Sequence, residues 1–180
     1  VGGRPILPGV AYLEMARAAA EAMSLQANEL NSIVWLRPLE FPRAQEVQVQ
    51  LRRESGFIHF KIETESAGET WVHAQGELRY SPALAHAEVT DLSRIQDRCL
   101  QEFKGAEVYE KFSQAGVVYG PYFRCIDSLW VGTGETLGKL RLPAVCAGEL
   151  RRGVLHPSLL DGALQAAAGL SLVSGGIEPR

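Results

Sequence analysis

Asp161 and Gln165 are the residues of this sequence whose types and spacing point most directly to chemistry. They stand four positions apart in the segment 155–170, which contains almost no other polar side chain. Apolar residues recur there at helical spacing, so the two polar side chains share one helix face. Pro157 suits the first position of that helix. A carboxylate in a nearly all-apolar helix is costly unless something uses or satisfies it, and Asp161 is therefore a candidate acid.

Helix capping is the alternative explanation for Asp161. Ser158 followed three residues later by Asp161 resembles a variant capping box, and the helix macrodipole favours a carboxylate in the first turn. The two explanations predict opposite chemistry. A carboxylate stabilised by the helix dipole has a lowered pKa. Burial among Leu159, Leu160 and Leu164 would instead raise the pKa, which suits a proton donor.

The composition argues against several classes of function. The 180 residues carry a formal charge of -3 without a basic patch, which disfavours a nucleic-acid surface. Cys99, Cys125 and Cys146 lie far apart with no CxxC pair, so we expect reduced thiols in a cytoplasmic protein rather than disulfides or a zinc site. No apolar run is long enough to span a bilayer. Glu14 and Arg17 interrupt what would be the apolar region of a signal peptide.

The first half of the chain has the pattern of one helix followed by an antiparallel meander. The Gly/Pro-rich segment 1–9 leads into a helix expected over residues 10–24. Four strand candidates follow, and their alternation predicts that His59 and His73 face solvent. A sheet of this kind wrapped around one helix makes an α+β unit. The strand candidates cover residues 33–36, 47–53, 57–64 and 70–80.

The second half again pairs strands with an alanine-rich helix, which suggests a divergent duplication. An aperiodic segment over residues 81–91 is expected to be a linker. We therefore predict an N-terminal subdomain over residues 1–80 and a C-terminal subdomain over residues 92–180. The elements expected in the second subdomain before its last helix are helices over 92–103 and 106–115, an aromatic turn over 116–123, and strands over 129–131 and 137–142.

Four short motifs are spread from one end of the chain to the other: Gly3 to Pro8, Gly116 to Phe123, Leu142 to Gly148, and Asp161 to Gln165. In this order they resemble the HxxxGxxxxP (its last part), GYxYGPxF, LPxxxxG and DxxxQ/H motifs of the dehydratase domains of modular polyketide synthases. Each motif alone is weak, but the four together make a specific match. Position 117 is Val where the family commonly has Tyr.

This resemblance implies a double hotdog fold, an α+β architecture in which two antiparallel sheets each curl around a long central helix, often in a homodimer. The family's catalytic histidine would lie four positions before Gly3, and the chain begins at Val1. The family also adds strands after the second helix. We therefore expect a sequence trimmed at both ends, because missing strands would leave open sheet edges. None of the chain's histidines stands at the motif's position: His59, His73, His86 and His156.

The resemblance also implies dehydration of a β-hydroxyacyl thioester, which needs a base for the α-proton, an acid for the leaving hydroxyl and polarisation of the thioester carbonyl. It implies Asp161 as the acid and a histidine upstream of the chain as the base. Gln165 and Tyr119 would orient the carboxyl of Asp161. Gly3 would polarise the carbonyl through backbone amides, and Pro8 would mainly shape its loop. The other residues expected to bind substrate are Gly120, Pro121, Phe123 and Leu164.

The family needs no metal and no cofactor of its own, and its substrate arrives on the phosphopantetheine of an acyl carrier protein. Two alternatives to dehydration stay open. A related double-bond isomerase or pyran-forming cyclase tends to lose the motif's Pro or to replace its Asp, and this sequence keeps both Pro8 and Asp161. A non-catalytic double hotdog, which holds acyl chains or braces a multienzyme, becomes the better explanation if the full-length protein lacks the upstream histidine.

Overall fold

The computed structural model describes residues 5–40, 44–66, 68–81, 90–146 and 156–173. These residues form two units, which we describe separately: the N-terminal unit contains the described residues up to 81, and the C-terminal unit those from 90 onward. The subdomain boundaries at residues 80 and 92 stay a prediction, because most of the expected linker lies outside the described residues. Gly3, His86 and Gly148 also lie outside them.

The N-terminal unit packs one helix on a four-stranded antiparallel sheet. Helix α1 (Ala11–Ala22) begins after Pro8, whose carbonyl accepts the Ala11 amide at 2.9 Å. Ala16 and Ala20 are fully buried, and their small side chains let the sheet approach the helix closely. The strand order in the sheet is β1-β4-β3-β2. The strands are β1 (Glu29–Trp35), β2 (Gln48–Glu54), β3 (Phe57–Ser66) and β4 (Glu69–Arg79).

The alternation predicted for β3 is confirmed on its core face. Ile58, Phe60 and Ile62 are buried, and they share a hydrophobic core with Tyr12 of α1. Burying side chains of this size contributes about 1.5–3 kcal/mol each, so this face holds much of the stability of the unit. His59, on the opposite face, is half-buried.

The solvent-facing position predicted for His73 is wrong. The register of β3 with β4 shifts between Ile62 and Glu63, and His73 falls between the paired residues Val72 and Ala74. His73 is therefore an extra, bulged residue in β4, and the bulge breaks the two-residue alternation on which the prediction depended. The side chain is only 4% exposed.

The C-terminal unit contains a three-stranded antiparallel sheet of order β5-β6-β7. The helix predicted over 92–103 is wrong in its second half, because helix α2 covers only Leu92–Arg98 and Gln101–Lys104 forms strand β5. Pairing of β5 with β6 overrides the local helical spacing. The other elements are α3 (Gly105–Gln114), a single-turn 3-10 helix (Pro121–Phe123), β6 (Ile126–Val131), β7 (Thr136–Leu140), a second 3-10 turn (Ala144–Cys146) and α4 (Pro157–Val173).

Helix α4 packs on this sheet through small residues. A Cβ at Gly169 would lie 2.5 Å from Leu129 Cδ2, so glycine at this position lets the helix lie directly on β6. No described helix, α4 included, is both long and apolar enough to cross a membrane. The buried positions of α4 lie along one stripe and are Ser158, Gly162, Gln165, Ala166 and Gly169.

Candidate functional site

Asp161 lies in the second turn of α4 and does not cap the helix. The helix begins at Pro157, and its first turn contains no acidic residue. His156 bonds the helix start instead: its carbonyl accepts the Leu160 amide at 3.1 Å, and its Nδ1 accepts the Ser158 amide at 3.3 Å. The capping explanation for Asp161 is therefore wrong, and its carboxyl needs another partner.

That partner is Gln165, one turn further along the same helix. Gln165 Nε2 donates to Asp161 Oδ2 at 2.6 Å and to the carbonyl of Phe123 at 2.9 Å. The hydrogen bond that the four-residue spacing predicts is thus present. Gln165 is only 2% exposed, so the amide group is held inside the unit and shields one side of the carboxyl.

Burial raises the pKa of the Asp161 carboxyl above its usual range, and the hydrogen bond from Gln165 partly opposes this rise. Removing the carboxyl from water disfavours its charged form, whereas an N–H donor stabilises that form. Burial is the larger of the two effects. The direction is the one a proton donor requires, because such a group must still carry its proton near neutral pH.

A stability measurement checks this direction. The folded-state pKa of Asp161 is raised above the unfolded value, so its contribution to stability is complete below the unfolded pKa and is lost as pH rises through the folded pKa. Asp161→Asn carries no charge, and its side-chain oxygen can still accept from Gln165. We expect the variant to have a higher Tm than wild type at neutral pH and no such advantage below the unfolded aspartate pKa. A lower Tm at neutral pH would contradict the raised pKa.

Tyr109 of α3 is a partner of Gln165 that the sequence did not predict. Its hydroxyl donates to Gln165 Oε1 at 2.9 Å and accepts the Ile126 amide at 2.9 Å. Burial raises the pKa of Tyr109 to about 12, so the hydroxyl keeps its proton at neutral pH. Its place among apolar residues of the helix predicted over 106–115 indicates burial. A buried tyrosine hydroxyl usually has a hydrogen-bond partner, so this position could have pointed to such a partner.

Tyr119 lies in an aromatic cluster beside the same site. Its ring meets the rings of Phe112 and Tyr109 edge to face, with centroids 5.1 and 5.9 Å away. Burial raises the pKa of Tyr119 to about 12, and the negative charge of Asp161 adds to the rise. The tyrosine therefore lies within electrostatic reach of the carboxyl. Its orienting hydrogen bond to Asp161 stays a prediction.

Leu164 does not help to bury Asp161, contrary to the prediction. Its side chain is 56% exposed. The reason is its place on the helix: Leu164 shares the outer face of α4 with Ala163 and Ala167, which are also exposed, whereas the stripe through Gly162 packs on the sheet. Apolar spacing alone does not identify the buried face of α4, because alanines and leucines occur on both faces.

The other residues expected to bind substrate lie in different parts of the chain. Gly120 and Pro121 are exposed, and Phe123 is half-buried with its carbonyl bonded to Gln165. Pro8 belongs to the N-terminal unit, where it starts α1. Within the C-terminal unit, Phe123 hydrogen-bonds the Asp161–Gln165 pair through its backbone carbonyl.

Two cysteines adjoin the same part of α4. Cys125 and Cys146 are fully buried and free, and Cys146 Sγ lies 3.9 Å from Ser158 Oγ. Burial raises the pKa of Cys125 to about 11, with smaller contributions from Cys146 and Asp161. The Cys125 thiol is therefore a small uncharged group at neutral pH, and both thiols are packed inside the unit. In the part of the chain that the structure describes, no group of His, Cys, Asp and Glu side chains is arranged to hold a metal ion.

Comparison with protein families gives two adjacent matches. A family model described as the polyketide synthase dehydratase domain matches residues 1–65, and one described as the polyketide synthase dehydratase N-terminal domain matches residues 87–176. Polyketide synthase PksN of Bacillus subtilis is 38% identical over 186 residues, which cover 97% of this chain and 3% of that protein.

Solved structures agree with these matches. A dehydratase domain of a trans-AT polyketide synthase from Brevibacillus brevis has a TM-score of 0.85 at 37% identity, covering 94% of this chain and 63% of its own. An inactive Asp-to-Asn mutant of the CurK dehydratase has a TM-score of 0.80 at 30% identity, covering 93% and 61%. An inactive His-to-Phe mutant of the same dehydratase has a TM-score of 0.78 at 31% identity, covering 92% and 60%. The chain thus spans less than two thirds of these structures, and the predicted α+β double hotdog fold is confirmed.

Proposed function

Because this chain belongs to the polyketide synthase dehydratase domain family, we propose that it catalyses the loss of water from a β-hydroxyacyl thioester. The substrate arrives on the phosphopantetheine of an acyl carrier protein, and the product is the α,β-unsaturated thioester. The observation that supports this most strongly is the half-buried carboxyl of Asp161, which has a raised pKa and is held by a buried Gln165. An acid prepared in this way can donate its proton at neutral pH.

The elimination needs two proton transfers, one at each carbon. A base takes the proton from the α-carbon, the electron pair of that C–H bond forms the double bond, and the β-hydroxyl leaves as water when Asp161 protonates it. Asp161 Oδ2 accepts the N–H of Gln165, so the proton to be donated is carried by Oδ1. Tyr119 is the second group that orients the carboxyl.

The base of this proposal is a histidine that precedes Val1 in the full-length protein. Inactive CurK dehydratases are known with Asp changed to Asn and with His changed to Phe, which is consistent with one acid and one base. Polarisation of the thioester carbonyl is assigned to the amide of Gly3. Pro8 shapes the loop in which it lies. The residues that bind the acyl chain are Gly120, Pro121, Phe123 and Leu164.

The proposal also names the partners of the reaction. Neighbouring synthase domains and the acyl carrier protein deliver the substrate in the cytoplasm, and the protein acts as a homodimer. The chemistry uses proton transfers only, so no cofactor beyond the carrier's phosphopantetheine is required.

A defined probe tests the proposal. The full-length protein is incubated with a β-hydroxybutyryl pantetheine thioester, and mass spectrometry follows the acyl group. We expect loss of one water from the probe. If that probe stays intact while a β,γ-unsaturated probe acquires the ultraviolet absorbance of a conjugated α,β-unsaturated thioester, the protein is an isomerase. If both probes are recovered unchanged, the protein is a scaffold, and either result overturns the proposal.

Gln165→Ala is expected to lower kcat by about a hundredfold, because losing its N–H leaves the carboxyl of Asp161 free to leave the productive geometry. We expect circular dichroism to show a folded protein of lower stability, because the apolar core of the unit is kept while the Phe123 carbonyl and the Tyr109 hydroxyl each lose one hydrogen-bond partner. Gln114→Ala, at the exposed end of α3, is the matched control and should keep the wild-type rate. A wild-type kcat for Gln165→Ala would show that the hydrogen bond to Asp161 has no role in turnover.

A further inference from the structure

The amide of Gln165 has one orientation, and groups outside α4 determine it. The carbonyl of Phe123 can only accept a hydrogen bond, and it lies 2.9 Å from Gln165 Nε2. The nitrogen of the amide must therefore face Phe123. This nitrogen has two hydrogens, and the second one reaches Asp161 Oδ2 at 2.6 Å.

The hydroxyl of Tyr109 determines where the oxygen of the Gln165 amide lies. A backbone amide only donates, so the Ile126 amide, at 2.9 Å, occupies the acceptor side of the hydroxyl oxygen. The single proton of the hydroxyl is then left for an acceptor. Gln165 Oε1 lies at 2.9 Å, whereas the carbonyl of Phe123 lies at 3.3 Å, and the shorter contact takes the proton. Every polar atom of Gln165 thus has a partner.

We propose that Tyr109 is a positioning residue for dehydration: through Gln165 it keeps an N–H on Asp161 Oδ2 and so leaves the acidic proton on Oδ1. The inference rests on the proposed function and deepens it. Without the Tyr109 hydroxyl, Gln165 Oε1 would be buried without its donor, and the terminal torsion of the amide, which is intrinsically broad, would lose its restraint. The carboxyl would then lose a well-placed hydrogen bond.

A purely structural role for Tyr109 predicts a different result. Its ring packs against Phe112 and Tyr119, and the guanidinium of Arg124 lies over it, 4.8 Å from the centroid. Tyr109→Phe keeps all of these ring contacts. If Tyr109 only fills the core, the variant changes the Tm and leaves kcat and its pH dependence at the wild-type values.

The pH dependence of kcat/KM should shift in a defined direction when Tyr109 loses its hydroxyl. The hydrogen bond from Gln165 lowers the pKa of Asp161 against the larger effect of burial, so weakening this bond raises the pKa further. The acid works only while it is protonated. The alkaline limb of kcat/KM should therefore move to higher pH in Tyr109→Phe. Burial raises the pKa of the neighbouring Tyr119 to about 12 and that of Cys125 to about 11, so these groups stay uncharged across the assay range. The guanidinium of Arg124 is the charged group that lies over the ring of Tyr109.

The experiment uses the full-length protein and the β-hydroxybutyryl pantetheine probe. Tyr109→Phe should lower kcat about tenfold, leave KM nearly unchanged and shift the alkaline limb upward. In a Gln165→Ala background the same substitution should have no further effect on kcat, because both substitutions break the same chain of hydrogen bonds to Asp161. Tyr80→Phe, at a tyrosine that is 62% exposed in the N-terminal unit, is the control and should behave as wild type.

The outcomes separate this inference from the function on which it rests. A wild-type protein that releases no water overturns the proposed function, and the inference falls with it. An active wild type overturns the inference alone if Tyr109→Phe has a normal kcat and pH profile, or if its effect persists in full in Gln165→Ala. If Tyr109→Phe does not fold, p-aminophenylalanine and p-methylphenylalanine at position 109 replace it. They have similar volumes but only the first donates to Gln165, so equal rates for the two would overturn the inference.

Discussion

Asp161→Asn is expected to reduce kcat for water loss by about a thousandfold, the range that general acid catalysis contributes. The amide of Asn cannot supply the acidic proton that the β-hydroxyl needs to leave. It keeps the shape of the carboxyl and an oxygen that can accept from Gln165, which lies 2.6 Å from Asp161 in the wild-type site. The substitution therefore removes the acidic proton and retains the packing of the side chain. The measurement is the rate of water loss from the β-hydroxybutyryl probe.

An exposed aspartate of the same unit provides the control. Asp97 lies in α2 with its side chain in solvent, and Asp97→Asn makes the same chemical change away from the site. It should retain wild-type turnover. If Asp161→Asn also retained it, Asp161 would not be the acid, and the raised pKa would be only a consequence of burial. A large loss of kcat in a variant whose Tm at neutral pH is not lowered would separate catalysis from stability.

Gly105→Ala is expected to destabilise the C-terminal unit by about 3 kcal/mol or more, at the upper end of overpacking effects. A Cβ at Gly105 would lie 2.0 Å from the carbonyl oxygen of Ile126. This is a contact with backbone, which no change of side-chain rotamer can relieve, so α3 and β6 must move apart. Because the Ile126 amide also bonds Tyr109, the same displacement should lower the rate of dehydration.

Gly120→Ala is the matched control for the unfolding experiment. Nothing lies within 4 Å of a Cβ built at Gly120, and its backbone angles, φ -69 and ψ 164, suit alanine. Such a change typically alters stability by about 1 kcal/mol or less, and often increases it. Urea unfolding followed by circular dichroism should therefore separate the two variants. Equal midpoints would show that the contact between Gly105 and Ile126 is not tight.

The sequence predicted the parts of this fold that depend on local patterns. Alternation in β3 identified its buried face, and Pro157 marked the start of α4, because both signals act within a few residues. The pairing of Asp161 with Gln165 was predictable for the same reason, since side chains four apart in a helix are neighbours.

The remaining features depend on contacts between distant parts of the chain. Gln165 forms hydrogen bonds with the carbonyl of Phe123 and the hydroxyl of Tyr109, which are 42 and 56 residues away in the sequence. No pattern of neighbouring residues predicts either hydrogen bond. Strand β5 forms because β6 is beside it, and His73 is buried because the β3–β4 pairing contains a bulge. In each case tertiary pairing prevails over the local pattern.

The anchor of Gln165 at position 123 is a main-chain carbonyl, not the phenyl ring of Phe123. Every amino acid has that carbonyl, so a substitution of the side chain at position 123 does not remove the hydrogen bond that holds Gln165. Under the proposed mechanism, we expect that substitutions at position 123 can replace the ring by smaller or larger groups, and so change which acyl chains bind, while the hydrogen bond to Gln165 is kept. Under the proposed mechanism, the side chain at position 123 can then change the substrate range while its backbone keeps the reaction.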